Sequence, residues 1–216
     1  MDGFEVRKTT WDSAKDLILT KHYAQRRPQV SQVWGLFYES EMVGAMTIGK
    51  PASPPLCVGL AGASYSSQVF ELNRLVVLDG LPENALSFFV GAVMRSLRDS
   101  DIILVSFADE GAGHYGYIYQ ATNWWYTGRS KARTDKYMPG GKHPRHYTNE
   151  FSHLRRLRTP KHRYVFVPNR SLRKRVKKDM LYPILPYPKG DNTRYTLGDR
   201  IGTVVLDTVT GETFND

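Results

Sequence analysis

Apolar and polar positions alternate from Phe4 to Thr9, which predicts a short opening strand. The rhythm then lengthens. Trp11, Ala14, Leu17, Ile18 and Lys21 recur at helical spacing, so a helix is predicted over Trp11–Tyr23, with Thr10 as N-cap and His22 and Tyr23 at its end. Two strand-like runs follow, Val33–Tyr38 and Met42–Gly49, joined through Glu39, Ser40 and Glu41 as a hairpin. Pro51–Ala63 is rich in Pro and Gly and reads as a loop. Val69–Leu78 (VFELNRLVVL) is a strand that Asp79-Gly80 breaks. Pro82, Glu83 and Asn84 then open a helix that runs to about Leu97 and is apolar nearly all the way round, the mark of a buried element. A strand at Ile102–Phe107, a helix around Tyr115–Thr122 and a strand at Trp124–Gly128 complete a compact unit.

Beyond Ser130 the pattern loosens. Residues 131–157 read as irregular and basic, with a turn at Pro139-Gly140-Gly141. Arg163–Val167 reads as a strand, Ser171–Met180 (SLRKRVKKDM) as a short basic helix, and YPILPYPKG as a segment too Pro-rich for regular helix. Thr203–Phe214 has the pattern of a terminal hairpin around Thr210-Gly211. The order β-α-β-β-β-α-β-α-β, then a late strand, predicts an α/β fold on a mixed sheet. The expected organisation is one domain over 1–190, carrying a basic insertion and tail at about 131–189, then a C-terminal tail over 191–216.

Charge changes this picture more than composition does. Formal net charge is +9, yet Ser130–Lys189 holds 17 Lys and Arg against Asp135, Glu150 and Asp179. That segment is +14 and the remainder −5. Such segregation points to a polyanionic partner; the plain alternative is a solvated basic face. Candidate backbone contacts are Arg155, Arg156, Arg158, Lys161, Arg163, Arg170, Arg173, Lys174, Arg175, Lys177 and Lys178. Cys57 is the one cysteine, which excludes an internal disulfide framework and a cysteine-based zinc finger. His143, His146 and His153 lack the spacing of a zinc motif. The opening MDGFEVRKTTWD has no basic-then-apolar leader pattern, and no window holds about 18 consecutive apolar residues. A cytoplasmic protein is expected.

The chemistry concentrates at Ile102–Ser130. An apolar run ends in Ser106 and Asp109, and a strand that delivers an acid to its C-terminal end is a common way to build an active site. Tyr115, Tyr117, Tyr119, Trp124, Trp125 and Tyr126 follow within a dozen positions. His22 reads as a general base, a metal ligand or a helix C-terminal histidine that meets exposed carbonyls. Asp109 reads as a proton acceptor, an orienting group, a metal ligand or an N-capping acid. Tyr23 and Tyr119 read as hydrogen-bond donors, iron ligands or rings that stack on a base, with core packing the plain alternative for Tyr119. The plain alternative for Arg74 is a sheet-face ion pair with Glu71, although a spacing of three sends the two to opposite faces of a regular strand.

The element order resembles the GNAT acyltransferase fold. Lys21-His22-Tyr23, FELNRLVVLDGLPENALSFF, VSFADEGAGHYGYIYQATNWWYTGR, RYVFVP and ILPYPK together resemble the phage Mom family of DNA-modifying proteins, over roughly 15–190. The resemblance implies a GNAT-like mixed sheet flanked by helices and a transferase that converts adenine N6 in double-stranded DNA to a carbamoylmethyl derivative, which protects phage DNA from restriction. It also implies catalytic roles for His22, Tyr23, Asp109 and Tyr119, and a donor site around Arg74, Val76, Leu78, Asn84 and Ser87. If iron takes part, His22 and Asp109 are its candidate ligands. The chain departs from the wider acyltransferase pattern at Leu78–Asn84: the Gln/Arg-x-x-Gly-x-Gly/Ala phosphate loop is missing, and Asp79 and Glu83 oppose a phosphate. Weak or absent acetyl-coenzyme A binding is the expectation. Adenine chemistry further requires extrusion of the base and an aromatic or apolar clamp, for which Tyr115, Tyr117, Trp124, Trp125 and Tyr126 are candidates. Two readings compete: an ordinary acyl-coenzyme A N-acyltransferase with another nucleic-acid-linked substrate, and a non-catalytic DNA-binding protein.

Overall fold

The computed structural model describes residues 2–140, 148–190, 196–199 and 202–216. Its main sheet has seven strands. In spatial order they are β1 (Phe4–Thr9), β2 (Gln32–Tyr38), β3 (Glu41–Gly49), β4 (Val69–Val77), β5 (Ile103–Asp109), β9 (Lys161–Phe166) and β6 (Trp125–Arg129). Every neighbouring pair is antiparallel except β4 with β5. A second sheet has four strands, in the order β11 (Thr213–Asn215), β10 (Val204–Asp207), β8 (Leu154–Arg158) and β7 (Arg133–Lys136).

Alternation along the strands sorts side chains into two layers. Leu104 and Ala108 of β5, with Tyr164 of β9, join Phe89, Val90 and Val93 of α3 (Ala85–Ser96) and Tyr119 of α4 (Tyr117–Ala121). Ile103, Val105 and Val165 turn the other way, onto Leu60 of α2 (Pro54–Ala61) and Leu172 and Val176 of α5 (Arg170–Asp179). On that same side Val33, Ala45 and Val76 meet Ala14 and Ile18, from α1 (Trp11–Asp16) and the π-helical turn after it. The result is a mixed sheet flanked by helices.

Several elements depart from the sequence expectation. The Pro51–Ala63 loop contains α2, because Pro54 and Pro55 occupy the first turn, where no backbone N–H is needed. The first helix is α-helical only to Asp16 and widens into a π-turn over Leu17–Lys21; His22 follows in extended conformation. Thr10 does cap it, accepting from the Ser13 N–H at 3.2 Å. Pro82 and Glu83 form a turn rather than helix, and Asn84 takes a left-handed φ of 67° ahead of α3. Residues 131–157, expected to be irregular, contain strands, whereas the strand and the basic helix expected after them are present as β9 and α5. β9 sits inside the main sheet, α5 covers its face, and β7 and β8 belong to the second sheet, where β10 of the terminal hairpin pairs with β8. His143 and His146 lie outside the described residues.

Candidate active site

β4 and β5 pair only at Val69–Ile103, Phe70–Leu104 and Glu71–Val105, and then part although both strands continue. Ser106 Oγ bridges the start of the gap, 2.7 Å from the Leu72 carbonyl oxygen and 2.7 Å from the Tyr119 hydroxyl. A hydroxyl has one proton. The carbonyl can only accept it, so Tyr119 donates to Ser106 in turn. Burial pushes the Tyr119 phenol up to about 12, so it stays neutral. Both sheet faces reach a site built in this gap.

A bulge sets what one face presents. Thr47 pairs with Arg74 but Ile48 pairs with Leu72, so Asn73 is an extra residue on β4. The extra residue cancels the three-position offset and puts Glu71 and Arg74 on the same face. Asn73 is used twice more: its carboxamide accepts from Thr47 Oγ1 at 2.6 Å and donates to the Gln29 carbonyl at 2.8 Å. Gly49 makes room, since a Cβ there would lie 1.9 Å from Gln29 O. The segment after His22 is thereby laid against β4. Arg74 Nη1 donates to the Asn73 carbonyl at 2.6 Å and Nε to the Arg26 carbonyl at 3.3 Å.

His22 is buried, and the Ala24 N–H donates to its Nδ1 at 3.0 Å. Burial first, then Arg74 and His114, push its pKa down to about 3. At neutral pH the ring is therefore uncharged with its proton on Nε2, a hydrogen-bond donor. Tyr23 stacks on it at 4.4 Å between centroids and meets His114 edge-on at 5.4 Å. Burial lowers His114 as well, with the Asp109 charge opposing. Burial also raises the Glu71 carboxyl, while Arg74 and Lys161 pull it back.

These groups open on a cleft of about 940 Å³. His22, Tyr23 and Tyr119 line it, as do all five expected donor-site residues, Arg74, Val76, Leu78, Asn84 and Ser87. Asp109 stands behind the lining. It accepts from Thr159 and the Gly111 N–H, and Lys161 Nζ lies 2.6 Å away. Burial raises this carboxyl, but the Lys161, Thr159 and Gly111 contacts outweigh it and hold it below the usual carboxylate range. His22 and Asp109 do not fit iron. Nδ1 of His22 is taken by a backbone N–H, Asp109 by a lysine, and among the described residues no three His, Cys, Asp or Glu side chains gather as a metal-binding group.

Charge is uneven over the lining. Leu78 to Ser87 contains no cation, and Glu83 is in the lining, which leaves a pyrophosphate without a cationic side chain there. Ser87 Oγ, moreover, donates to Asn84 O at 3.0 Å. The lining also holds Lys131, Arg133, Arg158, Lys161 and Arg163. Arg158 is set by Asp135 at 3.2 Å, and Arg163 stacks on Tyr182 at 3.4 Å. The expected DNA contacts thus divide. Arg158 and Lys161 are cleft residues, Arg155 and Arg156 sit half-buried on β8, and Lys174, Arg175, Lys177 and Lys178 are exposed on α5. Arg173 is a packing residue, over Trp125 at 4.9 Å and Phe166 at 5.0 Å. Sequence reasoning missed Glu71, His114 and the cleft position of Lys161. An acid in a β-rich run was the one signal for Glu71.

The model of the Mom protein family matches residues 3–189. The chain belongs to the Mom family. Methylcarbamoylase mom of Escherichia phage Mu is 32% identical to this Mom-family chain over 119 residues, 53% of this chain and 49% of that protein. The chain thus matches about half the length of its curated relative. Solved structures similar to it include a GNAT family acetyltransferase from Elizabethkingia anophelis with acetyl-CoA bound, at 12% identity and a TM-score of 0.44, covering 77% of this chain and 99% of that one. An N-acetyltransferase from Staphylococcus aureus Mu50 is similar at 11% identity and a TM-score of 0.47, covering 77% and 99%. Among the described residues no helix is long and apolar enough to cross a membrane.

Proposed function

We propose that this Mom-family chain is a GNAT-like transferase that converts adenine N6 in double-stranded DNA to N6-carbamoylmethyladenine, and so protects phage DNA from restriction. One observation carries the reading. Where β4 and β5 part, Glu71, Arg74, His22 and Tyr23 meet in a cleft whose lining also holds Lys131, Arg133, Arg158, Lys161 and Arg163, the arrangement a reacting amine on a polyanion needs.

The adenine amino group is a weak nucleophile because its lone pair is shared with the ring, so its proton must leave as the new N6–carbon bond forms. Glu71 takes that proton. Its raised pKa makes it a stronger base than a solvated carboxylate, and Arg74 and Lys161 keep it ionised. His22 Nε2–H faces developing negative charge on the donor as the bond between the transferred carbon and its leaving group breaks. Tyr119 stays a neutral phenol that ties α4 to β5, a positioning role. Asp109 holds Lys161 and faces His114, and so acts through the residues it positions. An acyl-coenzyme A donor held at Leu78–Ser87 would place its pyrophosphate beside Glu83.

Plasmid DNA from bacteria that express the chain tests this reading. Resistance to restriction enzymes whose sites contain adenine is expected. Complete cleavage, with the protein present and folded, would contradict it.

A further inference from the structure

The sequence offers five aromatic side chains as clamps for an extruded base, and the structure gives four of them other employment. Trp124 is fully buried between Tyr119, at 5.1 Å, and Phe166, at 5.4 Å. Tyr126 is buried, with its hydroxyl 3.0 Å from His162 Nδ1. Trp125 lies under the Arg173 guanidinium. Tyr115 packs on the His162 ring at 5.4 Å and against Gly190, where a Cβ would come within 2.6 Å of it. Tyr117 alone of the five is both strongly exposed, at 56%, and part of the cleft lining.

Its backbone is fixed. Gly116 has φ of 79°, and a Cβ there would sit 2.3 Å from the Tyr164 ring, so only glycine fits the turn that launches Tyr117. Leu86, 37% exposed at the start of α3, also lines the cleft. An exposed ring and an exposed aliphatic side chain in one cleft lining give a flat apolar group something to stack on. The same lining holds Lys131, Arg133 and Arg158, so the occupant that fits both is the base of a nucleotide whose phosphates meet those cations.

We propose that the Tyr117 ring is the stacking platform for the extruded purine, with Leu86 as the second apolar contact. This inference rests on the DNA-modification reading, and two measurements separate their failures. The first is turnover by Tyr117→Ala, Tyr117→Phe and Tyr117→Trp on a duplex and on a single-stranded oligonucleotide. Stacking on an aromatic side chain is worth about 1–3 kcal/mol per base, so Tyr117→Ala loses roughly 5- to 150-fold in kcat/KM on both substrates. The Phe and Trp variants stay close to wild type, because the ring and not the hydroxyl does the stacking. The second is binding of adenosine itself, followed by saturation-transfer NMR at its H2 and H8 protons, which needs no turnover. Saturation is expected with wild type and Tyr117→Phe and is lost with Tyr117→Ala. If wild type turns over no DNA yet saturates adenosine through Tyr117, the platform stands and the reaction reading falls. Tyr117→Ala with wild-type turnover and wild-type adenosine contact overturns the platform. So does a wild-type protein that does not contact adenosine.

Discussion

Asp109 and Lys161 are directly opposed in the β5–β9 register, and their charged groups lie 2.6 Å apart. The family resemblance implies a catalytic role for the first, and the charge pattern makes the second a candidate phosphate contact. In the fold they neutralise each other beside the cleft.

Asp109→Asn should therefore destabilise the protein by about 1–3 kcal/mol at pH 7, the range for a hydrogen-bonded charge that loses its partner. The sign with pH follows from a depressed carboxyl. Its stabilisation is present above the unfolded-state pKa and is lost as pH falls through the lower folded value. Urea midpoints at pH 7 and at acid pH should converge between wild type and variant. A difference that persists unchanged at acid pH would be inconsistent with the pair.

His22 should stay neutral, as the Nε2–H tautomer, across the physiological range. Its pKa near 3 means that the unfolded chain binds the proton first, so this group costs stability as pH drops below about 6.5. Long-range ¹H–¹⁵N NMR of the imidazole checks both tautomer and charge. A ring that protonates near pH 6 would show that the burial and the Ala24 contact do not act as described.

Glu71→Gln should lower turnover by about 10²–10⁴-fold, the range for loss of a general base, with DNA affinity unchanged. The wild-type rate should fall on the acid side as Glu71 protonates, at a pH above the ordinary carboxylate value. The variant should lose that limb. A pH–rate profile with the same acid limb in both proteins would place the base elsewhere.

Replacing Lys174, Arg175, Lys177 and Lys178 by Gln should weaken binding to all duplex sequences alike. The salt slope should become shallower by up to about 0.9 for each phosphate that the helix no longer neutralises. Arg173→Gln differs. Its guanidinium lies over two rings, so the loss should be about 1–2 kcal/mol of stability. Binding titrations over a salt series and thermal melts separate the two. Unchanged affinity in the fourfold variant would reduce α5 to a solvated face.

Much of the main sheet was legible because its elements have local reasons: alternation in β1, apolar runs in β2 to β5, the Asp79-Gly80 break, the nearly all-apolar α3. What escaped was decided by contacts distant in sequence. β7 and β8 are short, charged strands, and they form by pairing with each other and with β10. No periodicity in 131–157 announces that. The bulge at Asn73 is set by β3 and by the Gln29 carbonyl, so the shared face of Glu71 and Arg74 could not be read from their spacing. The same holds for Lys161, one cation among 17 until β9 enters the main sheet opposite Asp109. His22, Tyr23 and the donor-wall residues came from the family resemblance rather than from pattern.

The most direct test is mass analysis of nucleosides from the DNA of cells that express the wild-type chain, Glu71→Gln or Tyr117→Ala. Wild type should yield deoxyadenosine heavier by one carbamoylmethyl group in place of a hydrogen. Glu71→Gln should yield almost none, and Tyr117→Ala a reduced fraction. Unmodified deoxyadenosine throughout, from cells that hold folded wild-type protein, would contradict the account.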